Sequence, residues 1–142
     1  MTSFLEPQAG DLPHARPTAV SAPFWTGCAD GELRFQRCTA CGTWRHPPGP
    51  MCARCLSFES EWALASGRAR LLSWVVCHPP LLPAWKERAP YTVVLVECEE
   101  GVRTMGNLLG AGPEALRMDM PMQVDFAASP DGDLVPQWRL AT

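Results

Sequence analysis

Four cysteines in two pairs carry most of the chemistry this 142-residue chain can offer. Two residues separate Cys38 from Cys41, two separate Cys52 from Cys55, and ten lie between the pairs. A Cys-x2-Cys turn puts two sulfurs on one side of a tight loop, where backbone N–H groups can point at them. Two such knuckles face to face supply four thiolates in a tetrahedron, a set that suits Zn2+. Iron in the same cage, a pair of disulfides and free thiols are the competing states, and the ligand set favours zinc over iron. Gly42 follows the first knuckle and can take the positive φ such a turn often needs. In the second knuckle Leu56 stands where a glycine would be more comfortable. Four protein ligands leave no position open for water or substrate. The metal is therefore expected to be structural, stabilising a loop with almost no core of its own.

The remaining reactive side chains form no comparable set. Cys28, Cys77 and Cys98 are dispersed among apolar residues and read as small buried hydrophobes. Cys77 adjoins His78, but neighbouring side chains on a strand point to opposite faces, which disfavours a nucleophile–base pair. His14, His46 and His78 are far apart in sequence and match no triad. The chain has no Gly-rich phosphate loop, no G-x-S-x-G and no H-E-x-x-H. A catalytic site of its own is not expected.

The elements that must position the cysteines follow from pattern. Residues 1–22 hold Pro7, Pro13 and Pro17 and few large apolar side chains, and read as an extended or disordered arm. Pro23 opens a short helix in which Phe24 and Cys28 share a face, and Gly31 stops it. Leu33, Phe35 and Arg37 alternate with Arg34 and Gln36 as a short strand leading into Cys38. Residues 23–35 thus form a helix and lead-in strand, 36–62 the ribbon, and 63–142 a β-domain. Within the latter, Arg68–His78 reads as a strand with Leu72, Trp74 and Val76 on one face. Residues 78–90 are too proline-rich for a sheet interior and form a loop. Tyr91–Glu97 is the strongest strand signal, with Val94 and Val96 on one face and Tyr91, Val93 and Leu95 on the other. Val102–Leu108, Met122–Phe126 and Leu134–Trp138 complete five strands, with one helical turn at Pro113–Leu116. Five strands in about 72 residues is the count of a small closed barrel such as an OB-fold.

Bulk properties narrow the field. A net charge of −3 and a pI near 5.6 disfavour nucleic-acid binding, which needs a basic surface. No apolar run approaches the roughly 20 residues of a membrane span. The N-terminus does not read as a secretory signal, so a reducing, cytoplasmic setting is expected. Six tryptophans are many for this length, and they were expected to exceed what so small a core can hold. Trp85 lies in the proline-rich loop with Leu81 and Leu82. Exposed aromatics mark binding faces, so Phe24, Trp25, Trp74 and Trp85 are the candidate partner contacts.

The order of motifs resembles the DUF35 family over residues 22–140. The resemblance rests on Phe24-Trp25 with Gly31 and Leu33, then R-C-x2-C-G, Trp44 and Pro47-Pro48. The second Cys-x2-Cys follows, with Trp62, Ser66-Gly67, His78-Pro79, Pro90-Tyr91, E-x-x-E-G-V-R and M-P-M-Q-V-D-F. It implies a mainly β protein: a short N-terminal helix, a rubredoxin-like zinc ribbon and a five-stranded OB-fold barrel. It also implies the metal ligands Cys38, Cys41, Cys52 and Cys55, and no catalytic residue. Members usually act as accessory subunits of acyl-CoA enzymes, either thiolase-superfamily proteins (thiolases, ketoacyl synthases, lipid-transfer-protein-like aldolases) or MaoC-like hydratases. In some, the pathway is steroid or fatty-acid breakdown. The partner and an acyl-CoA at the shared interface are expected on that ground. The alternative is single-stranded nucleic-acid binding by ribbon and barrel, which Asp30, Glu32, Glu59 and Glu61 counter by flanking Arg34, Arg37, Arg45 and Arg54.

Overall fold

The computed structural model describes residues 15–78, 86, 88–129 and 132–142. Its first element is a helix, α1 (Ala22–Ala29). Thr18 and Ser21 exchange backbone-to-hydroxyl hydrogen bonds of 2.9 and 3.2 Å just ahead of it. At the other end the Glu32 N–H donates to the Gly27 carbonyl and the Gly31 N–H to the Cys28 carbonyl, a pairing that ends the helix. Phe24 and Cys28, one turn apart, are both buried.

A three-stranded sheet in the order β2-β1-β3 follows, from β1 (Arg34–Cys38), β2 (Trp44–Arg45) and β3 (Ser60–Leu64). Both neighbours run antiparallel to β1. The two knuckles sit at the ends of these strands. Between residues 38 and 64 only Cys38 and Cys52 are buried.

The larger sheet has the order β6-β5-β4-β7-β8. It comprises β4 (Arg68–Cys77), β5 (Tyr91–Cys98), β6 (Arg103–Asn107), β7 (Pro121–Ala128) and β8 (Leu134–Leu140), with one 3-10 turn at Pro113–Ala115. The ends meet. Leu108 bridges Trp138 in parallel, the Leu109 N–H donates to the Trp138 carbonyl at 2.8 Å, and the Asn107 N–H donates to Gln137 Oε1. Closure removes the free edge that an open sheet would present. The core runs from Phe24, Cys28 and Phe35 into Leu71, Val94, Val96, Met122 and Trp138, so helix, ribbon base and barrel share one interior.

The strands lie where the alternation places them, with one difference. The pairing of β4 with β5 slips between Leu71 and Ser73. A bulge there inserts one residue and swaps the faces. Before it Ala69 and Leu71 point inward; beyond it Trp74 and Val76 lean inward while Val75 faces out. The face predicted for Leu72, Trp74 and Val76 therefore holds only past the bulge. On β5, Thr92, Val94, Val96 and Cys98 line the interior. Among the described residues no helix is long and apolar enough to cross a membrane.

Candidate metal centre and its surroundings

The knuckles are related by a repeat in their hydrogen bonds. The Cys38 N–H donates to the Thr43 carbonyl and the Gly42 N–H to the Cys38 carbonyl. The Cys52 N–H donates to the Ser57 carbonyl and the Leu56 N–H to the Cys52 carbonyl. All four bonds measure 2.8–2.9 Å, so the loops share one geometry. The sulfurs converge: Cys38 and Cys55 Sγ lie 3.6 Å apart, Cys41 and Cys52 Sγ 3.7 Å, and all four fall within 4.8 Å of one another. A zinc–sulfur bond of about 2.3 Å requires a tetrahedral sulfur–sulfur edge of about 3.8 Å. The residues fit the ion.

Electrostatics favour a cation here. The Thr43 hydroxyl, 3.2 Å from Cys41 Sγ, and the Thr43 N–H pull the Cys41 thiol down to about 6. The Cys55 and Arg54 amides lower Cys52. The Ser57 amide pulls Cys55 down as well, but the sulfurs of Cys41, Cys38 and Cys52 outweigh it and push that thiol up to about 12. Four thiolates this close repel one another unless a cation lies among them. A bound metal cross-links β1 to the loop before β3 and supplies no open coordination position.

Within the knuckles, Leu56 is a strained position. It sits at φ +63°, the place Gly42 fills at +74° in the first knuckle. A side chain in that region costs about 1–2 kcal/mol, and Leu56 is 63% exposed, so little packing offsets it. Leu56→Gly is expected to raise the stability of the metal-loaded protein by about 0.5–1 kcal/mol. The urea midpoint reads this, and a lowered midpoint would show that the Leu56 side chain contributes packing after all.

His46 is not a fifth ligand. Its ring packs 5.1 Å from Phe24 and 5.0 Å from Phe35, and burial lowers its basicity. Gln36, buried beneath the loop, accepts from Arg45 Nε at 2.7 Å and from the Gly49 N–H at 2.9 Å, and so fixes the connection between knuckles. Arg37 lies 5.5 Å over the Trp44 ring. Elsewhere, burial pushes the Cys28 thiol up to about 11, and burial with the Glu100 and Glu97 charges pushes Cys98 up to about 12. Both stay protonated at neutral pH and are poor nucleophiles. Cys77 is half-buried at the end of β4, while the neighbouring His78 is exposed.

The expected partner contacts fare differently. Phe24 is only 6% exposed and stacks edge-on against Trp25, so it anchors α1 instead of presenting a face. Trp25 and Trp74 are half-buried against the core. Trp85 lies outside the described residues. Among the described tryptophans only Trp138 is fully buried; Trp44 and Trp62, like Trp25 and Trp74, are half-buried and pack against the core, so they do exceed what the core encloses. The exposed large apolar residues are others, among them Phe58, Leu64, Val75 and Met105. For Leu64, Val75 and Met105 the signal in sequence is an apolar residue on the outward phase of a strand, which can be read only once the inward phase is known.

Comparison with known proteins places these features. Residues 25–61 match the family model described as the ChsH2 rubredoxin-like zinc ribbon domain, and residues 62–127 that of the ChsH2 C-terminal OB-fold domain. A Thermomonospora curvata protein named "Probable enoyl-CoA hydratase alpha subunit" is 40% identical over 119 residues. That match covers 83% of this chain and 37% of the relative, so the chain spans little over a third of that protein's length. A Methanocaldococcus jannaschii "DUF35 domain-containing scaffold protein" is 31% identical over 100 residues, covering 68% of this chain and 70% of the relative. Among solved structures, a chain of the "Ltp2-ChsH2(DUF35) aldolase" superposes with a TM-score of 0.82 at 35% identity, covering 91% of this chain and 100% of the other.

Proposed function

This chain belongs to the DUF35 family, as a ChsH2-type zinc ribbon followed by a ChsH2-type OB-fold, and on that premise we propose that it is a non-catalytic accessory subunit of an acyl-CoA enzyme. The partner is a thiolase-superfamily protein or a MaoC-like hydratase, which carries the reacting groups. Acyl-CoA sits at the interface the two share. The observation that carries this reading is the full-length superposition on a chain from an aldolase whose name has two components. The relatives' names point the same way: a scaffold protein and the alpha subunit of a hydratase. The cage adds a chemical reason. Four sulfurs that satisfy a tetrahedral ion leave it no substrate position, so such an ion holds shape. A cytoplasmic setting keeps those thiols reduced.

Co-expression with a thiolase-superfamily or MaoC-like subunit is expected to give one co-eluting complex and a higher activity of that enzyme. A chain that stays monomeric and leaves the activity unchanged rejects the proposal. The nucleic-acid reading has less support. Arg34, Arg68, Arg70, Arg103 and Arg139 are each engaged by a carboxylate, and the chain carries 15 acidic against 12 basic residues, a balance that disfavours phosphates. No shift of a single-stranded oligonucleotide is expected even at about 50 mM salt, where phosphate contacts are strongest.

A further inference from the structure

The outward side of β5 is apolar. Past the bulge, β4 turns Val75 and Cys77 outward, and β5 turns out Tyr91, Val93 and Leu95. Pairing joins them: Val75 lies beside Val93, Cys77 beside Tyr91, and Leu95 beside Met105 of β6. Val75 is 56% and Met105 66% exposed, with the residues between them half-buried. A sheet that faces water on one side normally alternates apolar-in with polar-out. Here Val75 and Cys77 on β4, Tyr91, Val93 and Leu95 on β5, and Met105 on β6 hold outward positions, with Ser73 beside Leu95 and Asn107 beside Val93 as the polar residues among them, an apolar patch of the kind that marks an interaction site. Val75 and Met105 stay open to solvent. Helix α1 packs on β8 and β1, and the ribbon sheet extends from the start of β4.

We propose that this outer face of β4, β5 and β6 is the seat of the partner enzyme subunit, an inference that rests on the accessory-subunit reading above. Its border supports a protein partner. Arg70 bridges Glu97 at 2.8 Å and Asp119 at 2.5 Å, and Arg103 reaches Glu97 at 3.0 Å. Two arginines against two carboxylates leave no net charge, so the face offers an apolar centre with a neutral polar rim. A polyanion finds no purchase there, and a protein surface does. Size decides between a second copy and a larger partner. Three strands about 4.8 Å apart, over about five residues each, give an apolar area of roughly 240 Å2. A stable complex buries about 800 Å2 per partner. The patch is thus the centre of an interface that extends past the rim, which a subunit much larger than this barrel can supply. The aldolase on which this fold superposes is named for two components, and its Ltp2 component is the occupant we assign to this face.

The experiment mixes the full-length chain with the Ltp2 component of that aldolase and measures affinity by calorimetry. It is repeated for Val75→Arg and Met105→Glu, and for Phe58→Glu as a control on the ribbon, where Phe58 is 72% exposed. Metal content and melting temperature confirm that each variant is folded; the substituted side chains are all more than half exposed, and the two patch variants act independently. Val75→Arg and Met105→Glu are each expected to weaken binding about thirtyfold or more, and Phe58→Glu by less than about threefold. If the wild type binds and both patch variants bind as well as it does, this face is not the seat, and the accessory reading stands without it. If the wild type does not bind the Ltp2 component, this proposal falls, and the accessory reading is decided separately by the co-expression test above. If the wild type alone dimerises and Val75→Arg dissociates it, the occupant is a second copy and the proposal is overturned.

Discussion

Replacing Cys52 with alanine is expected to release the metal and melt the ribbon while leaving the barrel folded. The reason lies in what else holds that segment. From residue 38 to 64 the only buried side chains are two of the ligands, Cys38 and Cys52. Structural zinc in comparable small modules contributes an apparent binding free energy of about 10–16 kcal/mol at neutral pH. No interaction within the knuckles approaches that: their four backbone hydrogen bonds each contribute only about 1 kcal/mol net. Without the ion, the Cys41, Cys52 and Cys55 loops lose their common anchor. Hydrogen exchange is the direct measurement. Amides of residues 38–64 should exchange at least about a hundredfold faster in Cys52→Ala, whereas those of Val94 and Val96, in the centre of β5, should slow or quicken by less than tenfold. Cys28→Ala supplies the contrast, because that thiol is buried in the core and far from the cage in sequence. It should keep one metal per chain and lose only about 1–2 kcal/mol of stability. Acid should mimic Cys52→Ala. Protons compete with the metal for thiolates, so release is expected as pH falls and not as it rises. Persistent protection of residues 38–64 in the metal-free protein would show that the ribbon folds by packing, against the burial pattern.

How far the sequence discloses such a structure depends on what fixes each feature. The cage is legible because covalent chemistry dictates it: four sulfurs at set spacings leave few arrangements, and Gly42 and Leu56 even mark the matching turns. The strands are legible from their period, down to Val94 and Val96 on one face of β5 and Val93 and Leu95 on the other. The bulge at Leu71–Ser73 is not legible, because no local residue choice demands it. It arises where β4 leaves β7 and bends with β5 around the barrel, a tertiary requirement. The aromatics are legible in number but not in place. Of the described tryptophans only Trp138 is fully buried, as the small core requires, but which aromatics enter depends on how helix, ribbon base and barrel merge into one interior, with Phe24 beside His46 and Trp138 at the closing seam. An exposed apolar residue such as Met105 attracts no notice in sequence, since its phase is defined only by what β5 buries opposite it.

The seam itself gives the second large effect. Trp138 is fully buried, and its carbonyl takes the Leu109 N–H that ties β8 to the end of β6. Facing it on β6 is Gly106. A Cβ added there would lie 2.9 Å from Trp138 Cδ1, 3.1 Å from the Pro136 carbonyl oxygen and 3.2 Å from Gln137 Cα. One of these neighbours belongs to a side chain that is itself fully buried, and the other two are backbone of the strand that closes the barrel. Trp138→Ala is expected to cost about 3–5 kcal/mol, through lost transfer energy and the cavity left behind. Gly106→Ala should cost about 1–3 kcal/mol by overpacking, although alanine ordinarily suits a strand better than glycine. Trp138→Phe should cost less than Trp138→Ala. It keeps most of the volume and removes an indole N–H that is buried without an acceptor among the described residues. The double variant separates the two contacts at Gly106. If the side chain alone were in the way, Trp138→Phe would rescue Gly106→Ala completely. Because the Pro136 carbonyl and Gln137 Cα stay where they are, rescue should be partial, leaving about 1 kcal/mol unrecovered. Urea midpoints of the four proteins, each checked for one bound metal, decide the matter. Gly106→Ala at wild-type stability would mean that β6 and β8 are not in close contact, and that the barrel is open at this seam.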